Sequence, residues 1–76
     1  MITPAQCRAA RGLLDWNQDA LATASEVGVV AVRQFEKGVT VPRRATLSAI
    51  CRALESAGVR FTPNGVELTR NEEKAE

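Results

Sequence analysis

Histidine is absent from the chain, and its two cysteines, Cys7 and Cys51, stand far apart without a CxxC pair. A zinc site needs several thiolate, imidazole or carboxylate ligands at close spacing, so this composition excludes one. Both thiols fall on apolar helical stripes, which implies small buried hydrophobes. Without histidine, Ser25, Ser48 and Ser56 have no imidazole to activate them. Asp15 and Asp19 stand at helix boundaries, where capping accounts for them, and no glycine-rich loop resembles a phosphate cradle. Neither an enzyme nor a cofactor is expected.

Aromatic residues are almost as scarce, being limited to Trp16, Phe35 and Phe61. Proteins that bind single strands or RNA loops stack bases on several aromatic faces, so duplex DNA fits this composition better than RNA. No signal-peptide pattern, transmembrane run or lipidation motif is legible, which gives the expectation of a cytoplasmic protein with no membrane partner.

At 76 residues the chain is near the lower limit for one hydrophobic core without staples. It leaves no room for a large cleft or a ligand domain, so no small-molecule ligand is expected. With 45% hydrophobic and 25% charged residues it has the composition of a folded domain. The net charge of +1 says less than its distribution. Between residues 33 and 44, Arg33, Lys37, Arg43 and Arg44 face one acid, Glu36, whereas residues 71–76 carry three glutamates against one lysine.

Thr3-Pro4-Ala5-Gln6 combines a capping hydroxyl, a proline at the first helical position and a glutamine three residues after the cap. A first helix starts there, with Cys7, Ala10, Leu13 and Leu14 at helical spacing and Arg8 and Arg11 elsewhere on its surface. Asn17 caps a short second helix, Asp19 suits its positive end, and Trp16 is placed to staple onto Leu21. Gly28 then opens a third helix running to Lys37, with Val32 and Phe35 inward and Gly38 as a left-handed stop. Val27, Val29, Val30 and Val32 are β-branched, which leaves a strand as the alternative there. The fourth helix has the cleanest stripe, Leu47, Ile50, Cys51, Leu54 and Ala57, ended by Gly58. Residues 59–70 read as two short strands around Asn64-Gly65, pairing Phe61 with Leu68 and placing Val59, Phe61, Pro63, Val66 and Leu68 on one face.

Two short helices joined by a tight turn within a four-helix bundle is a helix-turn-helix layout. From Trp16-Asn17-Gln18-Asp19-Ala20-Leu21-Ala22 through Val32-Arg33-Gln34-Phe35-Glu36-Lys37-Gly38, residue types and spacing resemble the lambdoid phage repressor and Cro family, whose bacterial members are called XRE-type regulators. The resemblance covers roughly residues 3–57. It implies a mainly α fold, a four-helix lambda-repressor-like bundle with a C-terminal β-hairpin over residues 1–70, followed by a disordered acidic tail over 71–76. The implied partner is a double-stranded DNA operator. Gln18 resembles the glutamine that holds a phosphate and braces the recognition helix, and Asn17 matches the cap that contacts the DNA backbone. Arg11 and Glu36 resemble a surface ion pair tying the first helix to the third, worth about 0–1 kcal/mol if exposed.

On that reading Val29, Val30, Arg33 and Gln34 face base edges, with arginine suited to guanine, glutamine to adenine, and valine to thymine methyls. Arg11, Asn17, Gln18, Gly28, Lys37, Arg43 and Arg44 are the phosphate contacts. Two positions depart from the family: Glu26 stands where glycine is usual, and Gly28 where a serine or threonine cap is common. With the exposed valines, these departures keep open a protein-interaction module, such as an antitoxin or anti-activator, on the same bundle. One such domain makes few DNA contacts, so a homodimer is expected, joined through Val59, Phe61, Val66 and Leu68 of the hairpin and the end of the fourth helix.

Overall fold

The computed structural model describes residues 2–69. The expected tail over 71–76, and the domain end at 70, lie outside the described residues. Helix α1 (Pro4–Leu14) begins with the capping box: Gln6 N donates to Thr3 Oγ1 at 3.1 Å and Thr3 N to Gln6 Oε1 at 2.8 Å. Helix α2 (Gln18–Ser25) is capped by Asn17, whose Oδ1 accepts from Ala20 N at 2.7 Å. Helix α3 (Val29–Glu36) follows Gly28 without a side-chain cap and stops one residue short of the expected end. Its valines are helical despite their β propensity, because Val32 and Phe35 are buried on the inner side and tertiary packing decides the conformation. Helix α4 (Arg44–Ala57) ends at Gly58, with φ +118°.

The first three helices end in the same way. Trp16 N, Val27 N and Val39 N each reach back five residues, to the carbonyls of Arg11, Ala22 and Gln34, at 2.9, 3.2 and 3.0 Å. The residue before each donor is left-handed: Asp15 at φ +61°, Glu26 at +60° and Gly38 at +75°. Glycine pays no Cβ penalty there, whereas an ordinary L residue is disfavoured by about 1–2 kcal/mol. Glu26 thus holds the turn of the helix pair in a strained conformation. Glu26→Gly should stabilise the fold by about 0.5–1 kcal/mol, the relief being partly offset by the freer unfolded chain. A thermal melt checks this, and an unchanged or lowered Tm would contradict it.

Strands β1 (Val59–Phe61) and β2 (Val66–Leu68) pair antiparallel, with Val59 opposite Leu68, Arg60 opposite Glu67 and Phe61 opposite Val66. This corrects the expected pairing of Phe61 with Leu68 by two residues. Closing the hairpin on Asn64-Gly65 would require an N–H from Pro63, which has none. Thr62 supplies it instead, donating to the Gly65 carbonyl at 2.9 Å, so Pro63 and Asn64 become the turn. Because the shift is even, Val59, Phe61, Val66 and Leu68 still share a face, while Pro63 leaves it for the turn.

The core joins all four helices and the hairpin through Cys7, Ala10, Leu21, Val32, Phe35, Ile50, Leu54 and Val59. The hairpin rests on α1 as well as α4. Gln6, buried at the N-terminal end of α1, donates from Nε2 to the carbonyls of Thr62 at 2.8 Å and Gly65 at 3.0 Å. Among the described residues no helix is long and apolar enough to cross a membrane.

Candidate nucleic-acid interface

Successive residues of a helix are rotated by about 100°. Burying Val32, Phe35 and Glu36 therefore turns a face centred on Val30 and Lys37 outward, with Arg33 on one side and Gln34 on the other. Val30 is 59% exposed, Arg33 and Lys37 are exposed, and Gln34 is half-buried. Val29 lies on the flank and is half-buried. Ala31, on the opposite flank, is exposed and was not among the sequence candidates; with no polar group, its position on the wheel was the only signal.

Four side chains converge on Glu36 at the end of α3. Arg11 of α1 grips its carboxylate in a fork, Nε to Oε2 and Nη2 to Oε1, both at 2.7 Å. Gln18 Nε2 donates to Oε1 at 3.0 Å, the Cys7 thiol donates to Oε2 at 3.1 Å, and Arg8 donates to the Glu36 main-chain carbonyl. Arg11 also donates to the Trp16 carbonyl at 3.1 Å, so the same guanidinium fixes the entry to α2.

The expected Arg11–Glu36 pair is therefore present but is not a surface pair. The Glu36 side chain is 2% exposed and that of Arg11 is 18% exposed. Burial pushes the Glu36 carboxyl up, but the donors from Arg11, Gln18 and Cys7 outweigh it, holding the group below its ordinary value. The hydrogen bond to Glu36 raises Arg11 further. Burial, reinforced by the Glu36 carboxylate, keeps the Cys7 thiol protonated far above its ordinary value. Cys7 is a buried residue as expected, yet it is also a donor to the carboxylate, a role that sequence reasoning missed along with that of Arg8. Positions 7, 8 and 11 share one side of a helix, which was the available signal.

The chain matches the helix-turn-helix family over residues 8–57, from the first turns of α1 to the last residue of α4. It belongs to the helix-turn-helix family. That membership carries a DNA-binding, regulatory role in general terms, and no curated protein matches the chain.

In this helix-turn-helix protein the cations divide into two groups. Arg8 and Arg11 are held by the chain's own carbonyls and carboxylate, and Arg60 pairs with Glu67 across the hairpin. Arg33, Lys37, Arg43, Arg44 and Arg52 are exposed, with no side-chain hydrogen bond or ion pair among the described residues; the first four lie on or just after α3, and Arg52 lies within α4. Lys37 caps the end of α3, Arg43 precedes α4 and Arg44 opens it. Asn17 and Gly28 stand exposed at the starts of α2 and α3, where helix N–H groups favour anions. The connection between α3 and α4 exposes Val39 and, at 95%, Val41. Of the hairpin positions, Val59 is 3% exposed within its own core, Phe61 and Val66 are half-buried, and Leu68 is 38% exposed.

Proposed function

We propose that the chain is a sequence-specific transcriptional regulator of the lambdoid repressor and Cro type, a repressor that lays α3 in the major groove of a short pseudo-palindromic operator. The observation that carries this reading is the grouping of the cations: four of the five unpaired cationic side chains among the described residues lie on α3 or between it and the first residue of α4, while Arg8 and Arg11 of α1 and Gln18 of α2 are taken up in fixing the end of α3. Val29, Val30, Arg33 and Gln34 then face the bases, Arg33 toward guanine and Gln34 toward adenine. Lys37, Arg43, Arg44, Asn17 and Gly28 meet phosphates, with Gln18 and Arg11 at the edge of that contact while bracing Glu36.

Two copies reading half-sites about one helical turn apart supply the contacts that one domain lacks. Leu68, with the exposed parts of Phe61 and Val66, offers the apolar contact for a homodimer next to the end of α4, and Val59 supports it from inside. The purified protein should elute late from heparin, shift a fragment of its own promoter, and scatter light as a dimer. A monomer at concentrations far above those that saturate DNA would remove the preformed dimer.

A second reading, a protein-interaction module such as an antitoxin, is favoured by the exposure of Val30, Val39 and Val41 around the same helix. Early elution from heparin with no promoter shift would support it against the first.

A further inference from the structure

The centre of the outward face of α3 carries hydrocarbon where a polar reader would be usual. Val30 is 59% exposed, with Arg33 one turn further along the same face. Pressed against a base edge that shows only donors and acceptors, the Val30 methyls would leave those groups without partners. Among major-groove edges, a methyl at pyrimidine C5 is the one feature that offers an apolar surface. Thymine carries it, and so does 5-methylcytosine, at the same ring position. Arg33 has no partner among the described residues, and its fork fits guanine O6 and N7. Three residues advance a helix by about 4.5 Å, close to the about 3.4 Å between successive base pairs, so Val30 and Arg33 are placed to meet neighbouring bases.

Resting on the DNA-binding reading above, we propose that α3 reads a 5-methylpyrimidine–guanine step, through Val30 and Arg33, and that cytosine C5 methylation therefore strengthens binding at a cytosine–guanine step. Methylation of the DNA itself is then a signal that α3 can sense. Thymine–guanine satisfies the same contact permanently; cytosine–guanine satisfies it only when modified.

The test begins with duplexes enriched by the wild-type protein from a random pool. In an enriched duplex, replacing the thymine of a single half-site by uracil should weaken wild-type binding roughly fourfold, the ratio that corresponds to burying one methyl group at about 0.8 kcal/mol. With cytosine–guanine at that step, 5-methylcytosine should bind roughly fourfold better than cytosine. Val30→Ala should bind each matched pair equally well. Because Val30 is exposed, this variant should keep the wild-type melting curve, which separates lost reading from lost folding. Enriched duplexes indifferent to every uracil substitution and to cytosine methylation would overturn this proposal alone. So would Val30→Ala retaining the full methyl effect. A random pool yielding no enriched duplex would overturn the DNA-binding reading and this proposal with it.

Discussion

Glu36→Gln should destabilise the fold by about 3–5 kcal/mol, the cost of breaking a buried ion pair from one side. For a domain of this size that is most of the total stability, and Tm should fall on the order of 20 °C. The Arg11 guanidinium would keep its charge in a mostly buried position facing a neutral amide, and Cys7 would lose a charged acceptor. Arg11→Met combined with Glu36→Leu should recover much of the loss, since removing both charges leaves neither one buried alone. The pH dependence has a definite sign. A carboxyl whose folded value lies below its ordinary 4.5 stabilises the fold above that value and loses the contribution as pH falls through the lowered one. The Tm gap between wild type and Glu36→Gln should therefore be full at neutral pH and shrink only under acid conditions. A gap of a few degrees at pH 7, or one that grows in acid, would mean that the cluster around Glu36 does not hold α3 in place.

On DNA, Arg33→Ala and Gln34→Ala should each weaken the best site by about 1–3 kcal/mol while leaving random-sequence binding nearly unchanged. Arg43→Ala and Arg44→Ala should do the opposite. Each removes about one phosphate contact, weakening all sequences alike and reducing the slope of log K against log salt by about one. The contrast follows from their placement, on the outward face of α3 for the first two and at the start of α4 for the others. Anisotropy titrations at several salt concentrations separate the two classes. If Arg33→Ala behaved like Arg44→Ala, Arg33 would be a phosphate contact and not a base reader.

The elements that announce themselves locally were legible in the sequence. Thr3 with Gln6, Asn17, Gly38 and Gly58 mark helix ends through their own chemistry, and the α4 stripe fixes its buried side without reference to any neighbour. The strained turn at Glu26 was also visible, because the family places glycine there. What escaped depends on contacts between distant segments. An acid among basic residues reads as a surface partner, and only the packing of α1 against α3 makes Glu36 a buried hub fed by Cys7, Arg8 and Arg11. Cys7 was legible as apolar and buried, but not as a donor. The hairpin register was misread by giving Asn64-Gly65 more weight than the missing N–H of Pro63. Gln6 was legible as half of a capping box, yet its amide nitrogen also ties the hairpin turn to α1 across 56 residues of sequence.

The central claim, that the outward face of α3 reads bases, is tested most directly by parallel binding-site selections with wild type, Arg33→Ala and Gln34→Ala. The wild type should enrich a two-fold symmetric motif, Arg33→Ala should lose preference at a guanine in each half, and Gln34→Ala should lose it at a neighbouring adenine, with the remaining positions unchanged. Identical motifs from all three proteins would contradict the account and assign any base reading to another part of the chain.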